Sequence, residues 1–156
     1  MRQSTLPIEV NSLISKLGII PLKTMTIKNM YYILYEDNED VRLLSVFKDV
    51  SNETLKRSIS SFRRNSESIS VFTNVWEVIE DEKFSVVIVL INDLELISKG
   101  SILTIKLMNN LSLSESIEGD SSFIVDVDLG TGTELDISKI YISDDCGNEI
   151  FNRSYT

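Results

Sequence analysis

Apolar side chains fall at Leu6, Val10, Leu13, Ile14 and Leu17, at spacings of four, three, one and three, which line one stripe of a helix. Thr5 suits the N-cap, Pro7 the first turn and Gly18 the C-terminal stop, so the pattern predicts a helix that ends at Gly18. Ile19-Ile20-Pro21-Leu22 follows as an apolar exit that needs cover of its own. Residues 1–22 therefore read as a helix and connector able to serve as a docking arm, and residues 23–156 as a single β-rich domain. Leu6, Val10, Leu13, Ile14, Leu17 and Ile20 are the candidate interface residues. The competing reading packs the same stripe on its own domain, since a terminal segment is ordered only when something holds it down.

Residues 26–35 and 41–50 are β-branched and aromatic runs around Glu36-Asp37-Asn38-Glu39-Asp40, the pattern of a hairpin with an acidic tip. Both faces of the first run are apolar, with Ile27, Tyr31, Ile33 and Tyr35 on one and Met30, Tyr32 and Leu34 on the other, which predicts cover on both sides. Ser51 opens a second predicted helix, in which Leu55, Ile59 and Phe62 share a face and Lys56, Arg57, Arg63 and Arg64 lie away from it or at its end.

From Ile69 onward the pattern is of strands. Residues 69–79 and 84–91 flank an acidic turn, and 86–91 has no polar position, as a central strand requires. Residues 101–108 read as a further strand, and 111–120, rich in serine, as a loop or irregular edge. Alternation resumes at Phe123, Val125, Val127 and Leu129, continues through Leu135, Ile137, Ile140 and Ile142, and ends in a hairpin around Asp144-Asp145-Cys146-Gly147-Asn148. Many short strands with two helices confined to the N-terminal half predict a mainly β fold. It is an antiparallel β-sandwich or partly closed barrel, with α+β as the alternative.

Composition strengthens the β reading: the chain has no alanine and 20 isoleucines. It has no histidine either, which removes the usual general base near neutral pH, the commonest metal ligand and every serine or cysteine mechanism that relies on an imidazole. A single cysteine, Cys146, excludes an intrachain disulfide. The longest apolar run is far too short to span a membrane, and the first residues lack the apolar stretch of a secretory signal. The expected location is intracellular, in a host cytoplasm, or in a virion.

Charge is unevenly distributed. Residues 1–75 hold 10 basic and 8 acidic side chains, whereas 76–156 hold 5 and 16. A net charge of −9 argues against nucleic acid as a partner, and the one basic cluster, Lys56, Arg57, Arg63 and Arg64, has no interleaved stacking aromatics. Those residues suit an acidic patch on a sister subunit instead.

The most chemical-looking segment is 126–136. If 125–137 is a hairpin, the period of two puts Asp126, Asp128, Glu134 and Asp136 together on the face opposite the apolar set, where like charges oppose one another unless a cation intervenes. Calcium is the natural candidate for such an all-oxygen set. The spacing is not that of an EF-hand, however: Gly130 stands at the fifth position, Thr131 where the turn glycine belongs, and Ile137 in place of the terminal glutamate. No glycine-rich phosphate loop is present, and apart from calcium nothing implies a cofactor.

The expectation that results is a non-catalytic structural or assembly protein acting through contacts with other protein subunits, in a homo- or hetero-oligomer. A small component of a phage or viral particle, such as a tail, baseplate or neck accessory, fits it. Deleting residues 1–22 then abolishes assembly and leaves the β domain folded. The alternatives are an acidic inhibitor or immunity-type protein covering a basic site on a partner, and a carboxylate-based or calcium-assisted enzyme.

Overall fold

The computed structural model of the chain describes residues 6–51, 53–79, 82–128 and 135–155. Where one β-rich body over 23–156 is expected, the chain divides into two units, Met1–Arg64 with Val78–Glu82, and Asn65–Glu77 with Lys83–Thr156.

The first unit holds α1 (Ile8–Leu17), β1 (Lys23–Ile27), β2 (Met30–Asp37), β3 (Asp40–Asp49) and β4 (Thr54–Arg63), and its sheet is an antiparallel meander in the order β1-β2-β3-β4. Helix α1 stops as the sequence predicts. Gly18 adopts φ 68° and Ile19 N–H bonds back to Ile14 O at 3.1 Å, the 6→1 closure of a Schellman end. At the other end the cap position is Pro7, whose carbonyl accepts from Val10 and Asn11; Thr5, the expected cap, lies outside the described residues.

Val10 and Ile14 are buried against Ile33, Tyr35, Leu44 and Val46. Registers Ile33↔Leu44 and Tyr31↔Val46 put those sheet residues on one face, so the helix stripe has a matching apolar floor. Burying two such side chains contributes roughly 1.5–3 kcal/mol each. On the other face of the sheet Met30, Tyr32, Leu34, Leu43 and Phe47 are also buried, so β2 is covered on both sides as its composition predicts.

Two expectations change in this unit. The run 26–35 is not one strand: Lys28-Asn29 forms a two-residue reversal, with Lys28 at φ 52°, that separates β1 from β2. The predicted second helix after Ser51 is strand β4, paired in unbroken register with β3 from Asp40↔Arg63 to Asp49↔Thr54. Exposure alternates along it, so Leu55 and Ile59 share a face and Phe62 lies on the other. Thr54, Ser58, Ile59, Ser60 and Ser61 are weak helix formers, and pairing with a buried strand outweighs a stripe of three apolar residues.

The second unit holds β5 (Ile69–Ile79), β6 (Glu82–Ile91), α2 (Leu94–Lys99), β7 (Ile102–Leu107), β8 (Ser112–Ser116), β9 (Ser122–Asp126), β10 (Ile137–Ser143) and β11 (Glu149–Ser154), with the end of the β5–β6 hairpin grouped with the first unit. Its two sheets, β5-β6-β9 and β11-β10-β7-β8, enclose one core that includes Val87, Val89, Leu103, Ile105, Val125, Ile140 and Ile142. The result is the antiparallel sandwich of the prediction; among the described residues the sheets stay separate and no barrel closes. Strand β6 is central and buried on both faces, as the absence of polar positions over 86–91 requires.

Helix α2 was not expected, and it places the second helix in the C-terminal half. Asp93 caps it by accepting from Glu95 N–H at 2.9 Å. Gly100 ends it where a Cβ would stand 2.5 Å from Leu96 O and 2.8 Å from Ile117 Cδ1, so no larger residue fits. The serine-rich 111–120 segment supplies the short edge strand β8. Among the described residues no helix is long and apolar enough to cross a membrane.

Candidate functional site

Of the four carboxylates proposed for calcium, Asp126, Asp128 and Asp136 lie on flanking strands or next to them, and those strands are not paired with one another. Asp126 ends β9, Asp128 follows it and Asp136 precedes β10, while Glu134 lies outside the described residues. Strand β9 pairs with β6, and β10 pairs with β7 and β11, so the two flanks of 126–136 belong to opposite sheets of the sandwich. Val125, Val127, Leu135 and Ile137 do share the core, but across its width rather than side by side on one sheet.

Among the described residues, a group of three ligand atoms within 4.8 Å of one another is formed by Asp144, Asp145 and Cys146. These residues make the β10–β11 turn. The Asp144 carboxylate accepts from Cys146 N–H at 3.0 Å and Asn148 N–H at 2.8 Å, and Gly147 at φ 84° donates its N–H to Asp144 O. The turn accounts for Asp144, and Asp145 and Cys146 point into solvent.

Beside this turn an open cleft of about 470 Å³ is lined by Lys99, Ser101, Ser116, Glu118, Asp144 and Asp145, with Ile150 at its wall. Lys99 reaches Glu95 at 2.6 Å, and that carboxylate raises the ammonium above its ordinary pKa, first by the hydrogen bond and then by charge. The cleft thus offers acids, hydroxyls and a lysine already paired on its own helix.

On the outer face of the four-stranded sheet Lys106 stands directly across from Lys139. Both ammoniums lie near the Tyr141 ring, at 5.6 and 5.1 Å from its centroid, and Lys139 also meets Glu149 at 2.9 Å. These contacts account for two like charges in one register pair.

The six candidate interface residues divide. Val10 and Ile14 are in the first unit's own core, Leu6 and Leu13 are half-buried against it, and Leu17 and Ile20 are exposed. Ile8, on the outer side of the same helix, is 83% exposed and Ile20 86%, with Leu22 beyond them.

Sequence reasoning missed a second surface. Strand β4 closes one side of its sheet and leaves Leu55 40% and Ile59 48% exposed; β5 closes one side of another and exposes Val75 and Ile79. The signal was present as a period of two in Leu55-x-Arg57-x-Ile59-x-Ser61-x-Arg63, which a spacing of four between the apolar members also satisfies.

Charge follows the units. The first contains 10 basic and 10 acidic side chains and the second 5 and 14, so the whole net charge of −9 belongs to the sandwich. No protein-family model matches the chain, and the comparisons with curated proteins and with solved structures give no match.

Proposed function

We propose that the chain is a non-catalytic assembly protein that works through contacts with other protein subunits, as a small component of a larger particle such as a phage tail, baseplate or neck. The observation that carries the reading is the apolar surface at the N-terminal helix and its exit. Having placed Val10 and Ile14 on its own sheet, this segment still presents Ile8, Leu17, Ile20 and Leu22 to solvent. Apolar side chains grouped on a short segment favour a protein neighbour. The lack of histidine and the paired lysine in the acidic cleft support the non-catalytic half of the reading.

The test is a pull-down of the tagged full-length chain from its native lysate at low and high salt, with stoichiometry by light scattering, repeated with Ile20→Asp. Several subunits that survive high salt and are lost with Ile20→Asp support the proposal. A single basic partner released by salt replaces it with the inhibitor reading, in which the −9 sandwich covers a cationic site.

A further inference from the structure

Strand β4 runs ten residues without a bulge or proline, and among the described residues no strand lies beyond it in its sheet. Its open backbone groups follow from the two ladders beside it. Lys48 N–H bonds to Asn29 O at 2.9 Å, in line with the β2–β3 register, so the even residues of β3 bond to β2 and the odd ones, Val41 to Phe47, bond to β4. Their partners Lys56, Ser58, Ser60 and Phe62 bond inward. Leu55, Arg57, Ile59, Ser61 and Arg63 are left with N–H and C=O groups directed away from the sheet, and every one of them is exposed.

Such an edge is a template for another strand unless shortness, a bulge, proline, a cover or charge blunts it. Strand β4 has only charge, in Lys56, Arg57 and Arg63, none of which has an ion-pair partner among the described residues. Whether charge keeps out a second copy depends on what it would face. Two β4 strands related by a two-fold axis pair all the outward residues from Leu55 to Arg63 in one register, with Ile59 on the axis. That register sets Arg57 opposite Ser61, Leu55 opposite Arg63, Lys56 opposite Phe62 and Ser58 opposite Ser60, so no cation faces a cation. Sliding one copy two residues one way brings Arg57 against Arg63, and sliding it the other way carries Arg63 past the end of the strand. Ile59 stands in register with Leu44, on the face where α1 lies, and is 48% exposed. On the axis the two Ile59 side chains cover one another.

We infer that two copies of the chain pair through β4, antiparallel about a two-fold axis at Ile59, and so join their four-stranded sheets into one. The contact is separate from the apolar exit of α1 on which the assembly reading rests, and either can fail without the other.

Sedimentation velocity of the full chain from about 10 µM to about 1 mM, in about 50 mM and about 500 mM salt, tests it. A dimer that tightens at the higher salt is expected, because the cations of the two edges come near one another without facing and salt screens them. Ile59→Lys changes an exposed residue and sets two ammoniums on the axis, so it should weaken dimerisation by on the order of tenfold or more, while Ile20→Asp leaves it as in wild type. In a Cys146→Ser chain, Ile59→Cys should cross-link to its counterpart under mild oxidation and Leu55→Cys should not, since directly paired Cα atoms stand about 5.5 Å apart, within reach of a disulfide. A chain that stays monomeric at both salts overturns the proposal, as does association that Ile59→Lys leaves intact or that Leu55→Cys cross-links equally well. A dimer that salt dissolves assigns the cations of β4 to acids on the second copy and overturns it too. A dimer lost with Ile20→Asp and kept with Ile59→Lys belongs to the exit of α1, which upholds the assembly reading and removes this contact.

Discussion

Arg153 on β11 meets Glu67, just before β5, at 2.9 Å, and the same guanidinium donates to Ile69 O at 3.3 Å. One side chain thereby joins the last strand of one sheet to the first strand of the other, 84 residues away in sequence. The carbonyl it satisfies is partly shielded, which distinguishes this contact from an exposed ion pair. Arg153→Ala should lower the stability of the second unit by roughly 1–2 kcal/mol in urea denaturation. Arg153→Lys, which keeps the charge but loses the planar fork, should recover less than half of that. A loss below about 0.3 kcal/mol for Arg153→Ala would reduce the contact to a surface pair.

Deleting residues 1–22 should unfold the first unit rather than release a dispensable arm. The deletion uncovers Ile33, Tyr35, Leu44 and Val46, the floor on which Val10 and Ile14 lie. Dye binding to exposed apolar surface and loss of dispersed amide signals from β1–β4 are the expected outcomes. A truncated chain with a wild-type spectrum would show that the sheet needs no helix. Ile20→Asp leaves that floor covered and is the proper probe of docking.

The sandwich was legible because its strands obey a period of two, and β6 because 86–91 contains no polar residue to place outward. Gly18 marked the helix end for a stated reason, the left-handed turn it adopts. What was not legible depended on partner choice. Two runs flanking a short polar segment read as a hairpin, yet β9 and β10 chose different sheets. A register shift between Ile137 and Lys139 then changes the parity, so that Ile140 and Ile142 can share the core with Ile137, and the side on which Asp136 falls cannot be counted from sequence. Leu55, Ile59 and Phe62 fit a helix by spacing, and only the presence of β3 decides against it.

Gly100→Ala tests the tight packing at the end of α2. Its Cβ would stand 2.5 Å from a backbone oxygen and 2.9 Å from Ile142 Cγ2, and the backbone neighbour cannot rotate away. The φ of Gly100 is −72°, so the penalty is one of space and not of conformation. A loss of about 1–3 kcal/mol in stability is expected, against a few tenths for a substitution on the exposed side of the same helix, such as Ser98→Ala. Equal effects would mean that the α2 end shifts freely away from the core.

Proline at adjacent positions of β4 separates strand from helix at a single residue step. Ile59 directs its N–H away from β3, so Ile59→Pro removes a bond that the ladder does not use, on an edge where proline is tolerated. Ser60 sits opposite Leu43 and bonds inward, so Ser60→Pro breaks the ladder beneath a buried residue. In a helix over the same residues each change would cost about 3 kcal/mol or more and the two would be alike. In the strand, Ser60→Pro should be the more damaging by roughly 2 kcal/mol, since it leaves a buried backbone carbonyl without its donor. Thermal and urea unfolding of the two variants reads the difference directly. Equal destabilisation would overturn the assignment of outward groups on β4.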